Sequence, residues 1–218
     1  LDIGCNDGSQ LDAFKKYGVL TCGVDPAINL VNISSRNHHV YPGYFDTEYA
    51  NTQENQNDAV ICQNAFAHNY DQLTFLKNMG RVLVDDGYIY ITTSQADMIL
   101  NCEFDTIYHE HLSFYNIRSM NELCKRAGLN LVEVLKHPIH GNSFIFVISK
   151  SKARRSYIEL LINNEATYNI FDENTYEAYV DECKEIIQLP EEVQRQRRKG
   201  KRLHGDARNV FRKGRFNE

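Results

Sequence analysis

An α/β fold is predicted for this chain, a mostly parallel seven-stranded sheet with helices on both faces and a helical annex behind it. Three observations predict it. Short apolar runs alternate with helical stretches along the first 150 residues, the pattern of a parallel sheet covered by helices. A glycine-rich turn, Gly4-Cys5-Asn6-Asp7-Gly8, joins the first apolar run to a helix. An acidic residue, Asp25, closes the second run seventeen residues after Gly8.

Strands are expected at residues 1–3, 21–24, 39–41, 59–62, 88–92, 131–135 and 144–148, the last two close enough to pair antiparallel. Helices are expected at 9–17, 27–35, 71–84 and 119–127. Within the third of these, Leu73, Phe75, Leu76 and Val82 supply an apolar face, and Gly87 suits a left-handed turn before the next strand. From Lys152 onward the pattern turns helical, at 157–163 and 176–187, which is read as the annex. The expected division is a nucleotide-binding-type domain at 1–150, the annex at 151–190 and a basic tail at 191–218.

At 218 residues and 42% hydrophobic content the chain can bury one good core. No apolar run reaches the roughly 18 to 20 residues of a membrane span, and no basic segment leads an apolar stretch at the start. The six cysteines are scattered without a C-x-x-C pair, so reduced thiols in a soluble, cytoplasmic protein are expected rather than a zinc site or a disulfide framework. The formal charge of −5 hides a tail, 191–218, with ten Lys/Arg against four Asp/Glu. A solvated or ragged terminus is the plainer reading of that tail than a nucleic-acid contact.

Gly4 and Gly8 let a backbone approach a ligand closely, and the helix that follows offers free N–H donors. Asp25 stands where a nucleotide-binding fold hydrogen-bonds ribose hydroxyls, although capping of the next helix is a rival role. A dinucleotide site calls for G-x-G-x-x-G, and Asn6 stands at the middle glycine with Gln10 where the third is awaited. A ligand without a pyrophosphate tolerates that variation. The loop and the carboxylate together resemble the first two S-adenosylmethionine-binding motifs of class I methyltransferases, a Rossmann-like fold. The resemblance implies that Asp2, Gly4, Asn6, Gly8, Asp25 and Asn64 hold the cofactor.

Two further segments hold titratable groups. The fourth strand runs into Asn64-Ala65-Phe66-Ala67-His68, at the carboxyl edge of the sheet where open α/β folds place ligands. After the fifth strand comes Cys102-Glu103-Phe104-Asp105-Thr106-Ile107-Tyr108-His109-Glu110-His111-Leu112-Ser113-Phe114-Tyr115. A turn or helix would put Tyr108 and His111 on one face, and an extended chain would pair His109 with His111. Zincin spacing is missing, and no metal is expected.

With these segments the chain resembles the nucleotide-sugar C-methyltransferases, and His140-Gly141-Asn142-Ser143 is similar to their later His-Gly-Gly-Ser element with one glycine changed. The resemblance spans residues 1 to about 150 and implies methyl transfer to a carbon beside the 4-keto group of a deoxysugar on thymidine diphosphate. That carbon is not nucleophilic until a proton leaves, so the site needs a base and a donor for the enolate oxygen. By the resemblance His111 is the base, since an imidazole can be neutral near pH 7. Tyr108 and His68 orient the sugar or donate to the oxyanion, Glu110 fixes a neighbour's orientation, and His109 is structural.

Family members resemble a three-part chain, with a zinc-binding module first and a second α/β domain last that holds the nucleotide. The opening on Leu1-Asp2-Ile3-Gly4 predicts a start inside the domain, and Gly200-Lys201-Arg202-Leu203-His204-Gly205 resembles the beginning of that last domain, cut short. Two rival functions are an O- or N-methyltransferase for another small molecule and a non-catalytic S-adenosylmethionine-binding module.

Overall fold

The computed structural model describes residues 1–93, 98–104, 107–138, 142–190 and 193. Asp105, Thr106, His140, Gly141 and the basic tail apart from Val193 lie outside them. Elements run β1 (Asp2–Ile3), α1 (Ser9–Lys15), β2 (Cys22–Asp25), α2 (Ile28–Ser34), β3 (His39–Pro42), α3 (Thr47–Thr52) and β4 (Asn57–Gln63). A 3-10 turn at Phe66–His68 follows, then α4 (Gln72–Val82), β5 (Leu83–Thr93), α5 (Met98–Asn101), α6 (Ile117–Ala127), β6 (Asn130–His137), β7 (Ser143–Ser149), α7 (Arg155–Ala166) and α8 (Glu173–Gln188).

The seven strands form one sheet in the order β3-β2-β1-β4-β5-β7-β6. Pairing is parallel from β3 to β5, and β7 enters antiparallel to both β5 and β6. The chain reverses its direction of travel across the sheet between β1 and β4, so both strands deliver their ends to one crevice. Ligands of open α/β sheets collect at such a point. Beneath it the sheet is dry: Val24, Val60, Cys62, Ile89, Ile91, Phe146 and Ile148 are all at most 1% exposed. Such strands read as continuous apolar runs because both faces are covered.

Helix ends follow from local chemistry. Asp71 accepts the Thr74 N–H at 3.0 Å and starts α4, which buries Phe75, Leu76, Met79 and Val82 on one stripe. Asn116 and Ser119 cap the start of α6 reciprocally, and Gly128 at φ 75° ends it. Asp46, accepting from Tyr49 N–H, starts α3, a helix the apolar pattern did not announce.

Two expectations fail at one place. The helix stops at Val82, short of the expected residue 84, and β5 begins at Leu83, five residues earlier than expected. Gly87 is not a left-handed turn; it lies inside β5, where a Cβ would sit 2.7 Å from the Asp58 carbonyl oxygen. Close approach of two backbones, not turn geometry, is what requires glycine there.

Candidate active site

The glycine turn leaves β1 at the sheet's carboxyl edge. Gly4 takes φ 76° and Gly8 φ 85°, both in the region that side chains disfavour. Their missing Cβ atoms also make room, since one on Gly4 would meet the Ala65 Cβ at 3.1 Å and one on Gly8 the Ser34 Cβ at 2.9 Å. Asn6, between them, is left-handed too, at φ 54°. Its N–H donates to Asp25 Oδ2 at 2.9 Å, while Asp25 Oδ1 accepts from Ala27 N–H at 2.8 Å. Asp25 thus ties the turn to the end of β2 and fixes the entry to α2 at the same time.

Support for the turn comes from a residue the sequence did not single out. His38 is buried behind Gly8, with Nδ1 2.7 Å from Thr21 Oγ1 and Nε2 3.0 Å from Asp12 Oδ1. Both ring nitrogens are engaged, so the imidazole is a fixed backing.

Asp2 is 2% exposed. Burial pushes its carboxyl from 3.8 up to about 6; the Leu1 ammonium opposes the rise and the Asp25 carboxylate adds to it. The folded form therefore holds this proton more tightly than the unfolded chain does. Stability from this group is present below pH 3.8 and lost as the pH climbs through about 6. Replacing Asp2 with Asn removes that loss. Urea denaturation of the ligand-free protein at pH 8 is expected to show Asp2→Asn more stable than wild type by roughly 3 kcal/mol, a gap that closes near pH 3.5. Equal gaps at both pH values would contradict the assignment of burial as the cause.

Across the crevice, Asn64 is left-handed at φ 56° and its N–H donates to Thr92 O at 3.1 Å. Its Oδ1 is buried without a protein partner. Two converging carboxylates, an orphaned amide oxygen and two glycines that a side chain would fill suit a cationic, polar ligand, and S-adenosylmethionine, with an ammonium and a sulfonium, is such a ligand.

The chain continues from Asn64 through Ala65 to His68, and there the third segment joins. Leu112 N–H donates to Ala67 O at 2.9 Å. The His68 and His111 rings lie 5.0 Å apart, centroid to centroid, and Tyr108 Oη is 3.0 Å from His111 Nε2. Tyr108 and His111 sit on one turn, closed by His111 N–H to Tyr108 O at 3.0 Å; the turn alternative, not the extended one, is what the chain adopts. Phe114 stands edge-on to His111 at 6.1 Å. His109 and Glu110 point outward as an exposed pair, 3.8 Å apart, a contact worth little in water.

Asp2 and Gly4 to Gly8 belong to β1 and the turn after it, Asp25 ends β2 and Asn64 follows β4, on adjacent strands; His68, Tyr108 and His111 form a cluster joined to Asn64 through residues 65–67 and the Leu112 to Ala67 bond. Asn142 takes φ 100°, a glycine conformation at the position where the resemblance expects glycine. Sequence reasoning missed His38, Glu165 and Tyr179; the last two, from the annex, bond Ile117, Arg118 and Glu103 on either side of the Tyr108–His111 turn, and no local pattern marks them.

A glycine turn after the first strand, a carboxylate at the end of the second and the order 3-2-1-4-5-7-6 define the class I methyltransferase fold, whose cofactor is S-adenosylmethionine. Residues 1–134 match the methyltransferase domain family, and the chain belongs to it. It is 29% identical over 158 residues to the C-methyltransferase NovU of Streptomyces niveus, a match spanning 70% of this chain and 38% of that protein. Among solved structures, it is similar to the 1,6-didemethyltoxoflavin-N1-methyltransferase of Burkholderia thailandensis, seen with S-adenosylhomocysteine, at TM-score 0.54 and 15% identity, covering 69% of this chain and 70% of that one. A SAM-dependent methyltransferase of Aquifex aeolicus gives TM-score 0.52 and 16% identity, covering 67% and 79%. Among the described residues no helix is long and apolar enough to cross a membrane.

Proposed function

We propose that the protein is a C-methyltransferase acting on a carbon beside the ketone of a 4-keto-deoxysugar nucleotide. The observation that carries the reading is the cluster of His111, Tyr108 and His68 at the rim of the crevice that fits S-adenosylmethionine. Methylating an oxygen or nitrogen needs no carbon acid opened, whereas a keto-carbon needs a base and an oxyanion donor together. Likeness to the C-methyltransferase NovU supports the carbon acceptor.

In this reading His111 takes the proton from the carbon, and the electron pair moves toward the ketone oxygen, which Tyr108 or His68 stabilises by donating a hydrogen bond. When bound, S-adenosylmethionine would supply an electrophilic methyl to that carbon, its sulfonium sulfur leaving as the neutral thioether. Asp2, Asn64 and the turn at residues 4–8 would hold it, with Asp25, which fixes that turn, as the carboxylate available to its ribose. Residues 1–150 form the methyltransferase domain and 151–190 the annex. Six free thiols suit a reducing cytoplasm.

Mass spectrometry tests the reading. Incubation with S-adenosylmethionine and a dTDP-4-keto-deoxysugar is expected to add one methyl, about 14 Da by carbon chemistry, which carbon NMR of the product places on carbon. A methyl found on oxygen or nitrogen, or no transfer to any keto-sugar nucleotide, rejects it.

A further inference from the structure

The segment bearing Tyr108 and His111 is anchored at both ends by helices outside the sheet. Upstream, Tyr179 on α8 donates its O–H to Glu103 O at 2.7 Å, across 76 residues of sequence. Downstream, Glu165 on α7 accepts Ile117 N–H at 2.9 Å with Oε1 and Arg118 N–H at 3.1 Å with Oε2, the first two donors of α6. The Arg118 guanidinium also lies over the Phe171 ring, 4.8 Å from its centre, in the turn between α7 and α8.

Behind the segment is a hollow. A cavity of about 540 Å³ separates it from β6, β7 and the two annex helices, with Ile107, Phe114, Glu165, Tyr179 and Val180 among its walls. Protein segments are ordinarily held by close packing, and here that support is missing on the annex side. The hydrogen bonds at the ends, the Leu112 to Ala67 bond and the Tyr115 ring against Phe66, 5.5 Å between centroids, hold it from the other sides. Both anchor groups are suited to it. Tyr179 and Glu165 are each 8% exposed, and burial pushes the Tyr179 phenol well above its ordinary range, which keeps the donor proton in place.

We propose that Tyr179 and Glu165 are positioning residues for methyl transfer, setting from the annex where Tyr108 and His111 stand against His68. The geometric part rests on the contacts alone; the catalytic part rests on the reading of His111 above. Placement is worth a great deal in such a site, because a shift on the order of 1 Å can cost about a hundredfold in rate.

The test uses histidine labelled at the Cε1 carbon in the intact protein, with the His111 resonance assigned by its loss in His111→Asn. Tyr179→Phe keeps ring and volume and removes one O–H. It is expected to move or broaden the His111 resonance, leave that of His38 unchanged, and lower kcat roughly ten- to hundredfold with S-adenosylmethionine affinity preserved. Glu165→Ala should act in the same direction, and Glu165→Gln, which keeps one acceptor oxygen, should restore much of the loss. Should Glu165→Ala fail to fold, Tyr179→Phe still decides. An unmoved His111 resonance with unchanged kcat in Tyr179→Phe overturns the proposal. A moved resonance alongside full methyl transfer by His111→Asn leaves the positioning in place and removes the base assignment instead.

Discussion

Changing His111 to Asn is expected to leave S-adenosylmethionine binding within about twofold while methyl transfer to the keto-sugar nucleotide falls roughly 10²- to 10⁴-fold, the usual loss on removing a positioned base. Asn matches His as far as Nδ1 but does not reach Nε2, so the variant loses the 3.0 Å contact with the Tyr108 hydroxyl while leaving the backbone as it is. The surrounding turn, closed by the 108–111 and 112–67 backbone bonds, does not depend on the imidazole. What Asn cannot do is take a proton near neutral pH. Single-turnover measurement with the cofactor prebound separates this chemical step from binding. Full turnover in the variant would mean that the acceptor atom is already a nucleophile, which is the case for an oxygen or nitrogen substrate. Tyr108→Phe should cost less, because His68, 5.0 Å from His111 between ring centres, remains as a donor for the oxyanion.

Much of this arrangement was legible in the chain because the signals are local. Gly4, Gly8 and Asp25 announce a ligand turn by backbone demand: left-handed φ at the glycines and two N–H groups for one carboxylate. The central strands could be found as apolar runs because their faces are buried, Val24, Val60, Cys62, Ile89 and Ile91 being at most 1% exposed. Boundaries shifted where tertiary pairing overrode pattern. Leu83 reads as the end of an amphipathic helix, yet it pairs with Asn57 as a strand residue, and its carbonyl accepts from the Lys150 ammonium. The choice between a turn and an extended chain at Tyr108–His111 was open, since the sequence allows both and the link to Ala67 decides. Glu165 was not legible at all. A glutamate in an annex helix looks like solvated surface, and its role comes from two backbone amides 47 and 48 positions away.

Asp25→Asn is the sharpest test of the cofactor turn. Each oxygen of the native carboxylate accepts one backbone N–H, from Asn6 at 2.9 Å and from Ala27 at 2.8 Å, in a site only 7% exposed. However the new amide is turned, its NH2 faces one of these two donors. One backbone N–H in this partly buried site then faces an amide NH2 instead of an acceptor, at a cost of roughly 1 kcal/mol. If the lost partner is Asn6, its φ of 54° is no longer compensated, and the stretch between Gly4 and Gly8 keeps the Gly4 N–H to Val24 O bond at 2.9 Å as its main tie to β2. The variant also removes the negative charge next to Asp2. Calorimetric titration is expected to show S-adenosylmethionine affinity lower by about ten- to hundredfold, with a melting temperature a few degrees lower. The chemical step, measured at saturating cofactor, should change far less than the affinity. That split is the opposite of the one expected for His111→Asn, so the double variant should show both losses, combining additively as separate sites do. Affinity retained in Asp25→Asn would mean that the turn holds its shape without the carboxylate and that the cofactor meets the protein elsewhere.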